Sequence, residues 1–347
     1  MIERTAKIFI PVFVSAALMS VFLPRAAAFS PEDTNIMSDS YNIAGETVNV
    51  YISRQAEPTS HEGRMKEETG YYFLKFNYRD NFYSINLPDI FFEEINMRQR
   101  EKLVREIIRI YDQAFDRFAG VFGFYPALFR FSVTFGSTKP GYPFHVSYSD
   151  RRTSNIFANF LPYGAGKEPF SQEERIILLH ETGHGLFLIA VGNIEDPRGK
   201  YIEEGFADYI AGENYDEPGA AAPYYSMSVI SAEQAENFKG LSQLDFDAGV
   251  WGEETVLKAS AIRGYVGITH HVFGREFLSA FISVFGKEDL YGFLVRFKKT
   301  EDSIGRGDFG TNHVLSVFKS MGYTPAQIEK FRKELYSRLR ENVFVVK

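Results

Sequence analysis

The chain has 347 residues, of which 45% are hydrophobic, 24% charged and 16% aromatic, and its formal net charge is −7. Such a composition excludes wholesale disorder and supports a sizeable buried core, with a length suited to about two domains. The acidic balance argues against nucleic acid or an anionic membrane surface as partner. The absence of cysteine excludes disulfides and thiolate metal ligands.

Residues 1–28 read as a secretory signal. Arg4 and Lys7 form a charged start, "IFIPVFVSAALMSVFL" (8–23) is the apolar stretch, and Ala26 and Ala28 give a small-x-small cleavage site. The apolar run is 16 residues long and contains Pro11, short for a span of about 20. Cleavage would move the net charge from −7 to −9, since it removes Arg4, Lys7 and Arg25 against Glu3 alone. The expectation is an exported chain, periplasmic or secreted, with no membrane attachment after cleavage.

A small β-rich region, 29–95, follows. "ETVNVYIS" (46–53), "YYFLKFNY" (71–78) and "NFYSINLP" (81–88) alternate and are rich in strand formers. From Met97 to Ala119, Leu103, Val104, Ile107, Ile108, Tyr111, Ala114, Phe115 and Phe118 recur at helical spacing. "FRFSVTF" (129–135) and "SNIFANFL" (154–161) predict two further strands. Phe170, Ser171 and Glu174 mark the start of a helix through a capping box. "YIEEGFADYIAGE" (201–213) predicts a second helix, and 214–256 is loop-rich. "EFLSAFISVF" (276–285) and "LYGFLVRF" (290–297) are helical, and Thr324, Pro325 and Gln327 open a last helix. The order of elements predicts an α+β protein, with a β-rich start and helices toward the C-terminus.

Within the capped helix, "LLHETGHGLFLIAVG" (178–192) places two histidines, a glutamate and two glycines in an apolar segment. Glycine costs about 1 kcal/mol against alanine in a helix interior, so these residues need a compensating role. His180 and His184 are four apart and project from one face, one turn from each other. Two neutral imidazoles so placed can grip one metal ion, and Glu181 is offset to reach a water beside it. This is the H-E-x-x-H pattern in which the glutamate serves as general base. Gly183 and Gly185 would let backbone or substrate come close.

A catalytic zinc needs a third protein ligand and an open position. A third histidine six residues on is excluded, because Ala190 stands there and Phe187 replaces the accompanying glycine. Glu204, 20 residues after His184, is the preferred third ligand. Glu203 competes, but its i+4 partner is Ala207, whereas Asp208 lies one turn beyond Glu204 and is placed to accept the free N–H of a zinc-bound histidine. One Zn2+ per chain is expected, held by His180, His184 and Glu204. His61, His145 and His313 have no partners at ligand spacing.

"HETGH" followed by "EEGFAD" resembles the paired zinc motifs of the gluzincins, metallopeptidases of the peptidase MA superfamily that include thermolysin and the aminopeptidase N type. "FDRFAGVFGFYP" and "HVFGREFLSAFISVFG" are similar to flanking stretches of that group, so the likeness covers about 97–300 and leaves the N-terminal β-rich region outside. The resemblance implies a zincin-like catalytic domain over 96–347, a twisted mixed sheet with the active-site helix followed by a helical lobe, and hydrolysis of peptide or protein substrates, with Glu181 as base. It also implies a transition-state donor from the stretch that begins a later helix. His271 stands where the family usually has tyrosine, and Tyr265 is the competitor. No Gly-Ala-Met-Glu-Asn segment is present, and "SNIFANFL" takes the comparable edge-strand place, so endopeptidase activity is favoured over aminopeptidase. The alternative is a catalytically inactive zinc-containing peptide-binding or scaffold protein, against which the intact Glu181 argues.

Overall fold

Two tight hairpins begin the fold. Strand β1 (Asn35–Ile43) turns through Ala44 and Gly45 into β2 (Glu46–Ala56), and β3 (Gly70–Tyr78) turns through Arg79 and Asp80 into β4 (Asn81–Pro88). All four turn residues have positive φ, between 45° and 87°, the hand that matches the twist of the flanking strands. The computed structural model describes residues 35–56, 70–136, 144–150, 152–164, 166–194, 199–212, 266–304 and 311–342. The signal-like segment 1–28, the loop-rich stretch 214–256 and Tyr265 lie outside the described residues.

Helix α1 (Asp89–Glu94) leads to α2 (Met97–Phe122), which starts with a reciprocal Asn96–Gln99 capping box and ends at Gly123 in the left-handed region, φ 76°. Then come β5 (Arg130–Phe135), β6 (Phe144–Asp150) and β7 (Thr153–Ala158). The seven strands form one sheet in the order β1-β2-β3-β4-β5-β7-β6. Pairing is antiparallel from β1 to β4, parallel across β4–β5 and β5–β7, and antiparallel between β7 and the outer strand β6. The protein is therefore α+β with a mixed sheet, as its sequence predicts.

The β-rich N-terminal strands are continuous with the rest of the sheet, because β4 pairs directly with β5 across the boundary near residue 95. One expectation changes. The strand within "SNIFANFL" is not a sheet edge: β7 lies between β5 and β6, and the edge on that side is β6, "FHVSYSD". The alternation in 154–161 identifies a strand, but neighbour order is set by contacts remote in sequence, which a local pattern does not encode.

One face of the sheet packs on α2. Tyr83, Tyr111 and Phe131 meet there, with ring centroids 5.3 Å apart for Tyr83–Tyr111 and 4.8 Å for Tyr111–Phe131. Next to α2 runs α3 (Gln172–Ala190), followed by α4 (Lys200–Ala211) and α5 (Val266–Phe285). A 3₁₀ turn (Lys287–Asp289), α6 (Leu290–Ile304), α7 (Thr311–Ser320) and α8 (Pro325–Asn342) complete the helical lobe. Thr324 and Gln327 make the reciprocal cap of α8: each backbone N–H donates to the other's side-chain oxygen, at 3.0 and 3.3 Å.

Candidate metal centre

Helix α3 starts where its sequence indicates. Ser171 Oγ accepts the Glu174 N–H at 3.2 Å and Glu174 Oε2 accepts the Ser171 N–H at 2.7 Å. From Ile177 to Phe187 the helix is buried on all sides; Thr182 Oγ1 donates to the Leu178 carbonyl, and His180, Glu181 and His184 sit in the core and require partners.

The glycines explain how those partners arrive. A Cβ on Gly183 would lie 2.7 Å from the Ala207 Cα and 3.1 Å from the Ile210 Cβ, so a side chain there would push α4 away. A Cβ on Gly185 would lie 2.6 Å from Ser154 Oγ on β7. Gly183 therefore serves the seam between α3 and α4, and Gly185 the seam between α3 and the sheet; each faces protein. A second seam of the same kind joins α4 to α5, where Gly205 meets the backbone of Gly274 and Gly274 meets the carbonyl of Tyr201.

With the backbones this close, short acidic side chains on α4 reach the histidines. His184 Nε2 stands 3.1 Å from His180 Nε2 and 3.2 Å from Glu204 Oε2, and His180 Nε2 is 3.4 Å from the same oxygen. On the far side of the rings, His180 Nδ1 is 2.9 Å from Asp208 Oδ1, and His184 Nδ1 is 3.2 Å from Glu203 Oε1. His180, Glu181, His184, Glu203 and Asp208 are all buried.

An ionised carboxylate only accepts hydrogen bonds, so the nitrogens facing Asp208 and Glu203 carry the protons. Both Nε2 lone pairs then converge on one another and on the Glu204 carboxylate, an arrangement that needs positive charge in its midst. Without a metal, protons take that part. Burial alone would make His180 less basic, but Asp208 and Glu204 outweigh it and raise its pKa to about 9. His184 is likewise raised well above the ordinary value, burial being outweighed by Glu204 and Glu203.

The spacing fits an ion. Ligands about 2.0–2.1 Å from a tetrahedral zinc stand about 3.3–3.4 Å from one another, close to the 3.1, 3.2 and 3.4 Å of this triangle. Among the described residues, His180, His184 and Glu204 are the one group of such donors compact enough to hold a metal ion. No protein-family model matches the chain, and no curated protein sequence matches it either. The centre is therefore interpreted on its own chemistry.

Glu181 is buried beside the cluster. Burial raises its pKa, against the lowering effect of His184 and His180, which suits a group that must take and release a proton. His271 lies on α5, three residues before Gly274 at the seam with α4. Sequence reasoning missed the place of Glu203, which it weighed only as a competing metal ligand: it is 7% exposed and faces His184 Nδ1 from behind. The available signal was its i+4 relation to Ala207, whose Cα abuts Gly183; any side chain on that stripe of α4 faces α3.

Proposed function

We propose that this protein is an exported, zinc-dependent metallopeptidase of the gluzincin type, an endopeptidase, with one zinc per chain held by His180, His184 and Glu204. The observation that carries the reading is the buried Glu181 adjoining a three-donor triangle of metal-binding size. When bound, zinc acts as a Lewis acid that acidifies water and polarises a carbonyl. Glu181 accepts the proton of the attacking water and delivers it to the departing amine. Asp208 holds His180 in the tautomer that presents Nε2. β6, one of the two outer strands of the sheet among the described residues, offers main-chain groups to an extended peptide, which gives affinity without demanding one sequence. His271, or Tyr265 in its stead, donates a hydrogen bond to the oxyanion formed during attack.

Export rests on the charged start and apolar stretch of residues 1–28, and among the described residues no helix is long and apolar enough to cross a membrane. The decisive experiment profiles cleavage of a mixed peptide library by the purified chain, with and without chelator, beside Glu181→Gln. Internal cleavage that chelator abolishes, with turnover lowered about 10²- to 10⁴-fold in the variant at unchanged zinc content, supports the reading. Zinc binding with no cleavage by the parent chain would overturn it and favour the inactive zinc-containing alternative.

A further inference from the structure

The two histidines are supported unequally. Behind His180, Asp208 is 1% exposed, and its second oxygen, Oδ2, has no hydrogen-bond partner among the described residues. Behind His184, Glu203 uses both oxygens: Oε1 faces Nδ1 at 3.2 Å, and Oε2 accepts from Lys200 Nζ at 2.7 Å. Lys200 in turn donates to Asn193 Oδ1 at 3.0 Å. Four side chains, Asn193, Lys200, Glu203 and His184, thus run from the loop after α3, through the first turn of α4, back to a metal-facing imidazole.

We propose that Glu203, anchored by Lys200, is a positioning residue that fixes the tautomer and donor strength of His184 at the metal centre. This rests on the metal-centre reading above but concerns binding, whatever reaction follows. A carboxylate against Nδ1–H makes the opposite nitrogen a stronger donor and holds the ring in plane with its target. Left alone in the core, such a carboxylate would turn toward solvent. Lys200 holds it in place. Its side chain is 34% exposed while that of Glu203 is 9% exposed, so the lysine brings charge compensation in from the surface without burying a second ion completely. The Asn193 contact pins the lysine and couples the α3–α4 loop to the centre.

The test is zinc competition between a chromogenic chelator and the metal-free full chain, paired with visible spectra of the cobalt-substituted protein. Glu203→Ala is expected to weaken zinc binding about 10- to 100-fold and to shift the cobalt bands, with circular dichroism unchanged. Glu203→Gln should fall between Ala and the parent, since its amide oxygen accepts the N–H without the charge. Lys200→Met should weaken binding several-fold, and Lys200→Arg should restore it. If Glu203→Ala fails to fold, Glu203→Gln decides alone. Parent-like zinc affinity and an unchanged cobalt spectrum in Glu203→Gln and any folded Glu203→Ala would overturn the proposal while leaving the peptidase reading intact. A parent chain that binds no zinc would overturn both.

Discussion

The seam between α3 and α4 and the lobe formed by α5 to α8 are both helix-on-helix contacts, yet they are built on opposite principles. In the lobe, Phe277, Phe281, Phe285, Phe293 and Phe318 interlock, with centroid separations such as 4.8 Å for Phe281–Phe293 and 5.2 Å for Phe285–Phe318. Large side chains fill the space and hold the helices apart. At the seam, Gly183 lets the helices nearly touch, and the contact is made by backbone and short polar groups. Bulk gives stability, whereas close approach gives reach: Asp208 and Glu204 are too short to meet the histidines from a phenylalanine-spaced helix.

That contrast can be broken from either side. The largest effect is expected from Phe281→Ala, which empties a fully buried site in the lobe and should lower unfolding free energy by about 3–5 kcal/mol. Denaturant titration measures this, and zinc affinity of the folded fraction should stay at the parent value. His271→Ala should do the reverse, lowering turnover roughly 10²-fold while the unfolding midpoint and zinc content are retained. Should Tyr265→Phe lower turnover instead, the donor is the tyrosine. Asp208→Ala should weaken zinc about 10- to 100-fold, read by chelator competition. Gly183→Ala joins both effects. Its added methyl group forces α3 from α4 at an overpacking penalty of about 1–3 kcal/mol, offset in part by about 1 kcal/mol of helix propensity. Stability and zinc affinity should therefore fall together, and a variant that lost one alone would separate the seam from the site it carries.

Much of the centre was legible because its information is local. His180, Glu181 and His184 fall within one helical turn and a half, and the Ser171–Glu174 box that starts their helix lies within four residues. Glu204 and Asp208 were legible through their own i+4 spacing, once a second helix was granted. What escaped depends on contacts remote in sequence. β1 is polar, "NIMSDSYNI", with Tyr41 and Ile43 buried among exposed neighbours, and its turn lacks the Asn-Gly signature of a hairpin. β6 and α7 are short. The edge position was given to the wrong strand because β6 enters the sheet outside β7, although it precedes β7 in the chain. Glu203 escaped because its partner is the second nitrogen of a histidine 19 positions away, reached only after Gly183 closes the seam.

The parallel β4–β5 joint has a practical consequence for anyone wishing to isolate the segment that carries the metal centre. Residues 97–300 contain the HETGH and EEGFAD motifs and invite excision at Asn96. Such a cut would remove Tyr83, Ile85 and Leu87, all buried, and strip β5 of its partner along Phe82–Asn86. The remnant would present a bare strand rich in Phe and Val, the kind of edge that recruits other chains into aggregates. The His180–His184–Glu204 triangle thus lies in a segment expected to need the hairpins ahead of it, and loss of soluble expression on truncation at residue 96 would mark those hairpins as part of one continuous sheet.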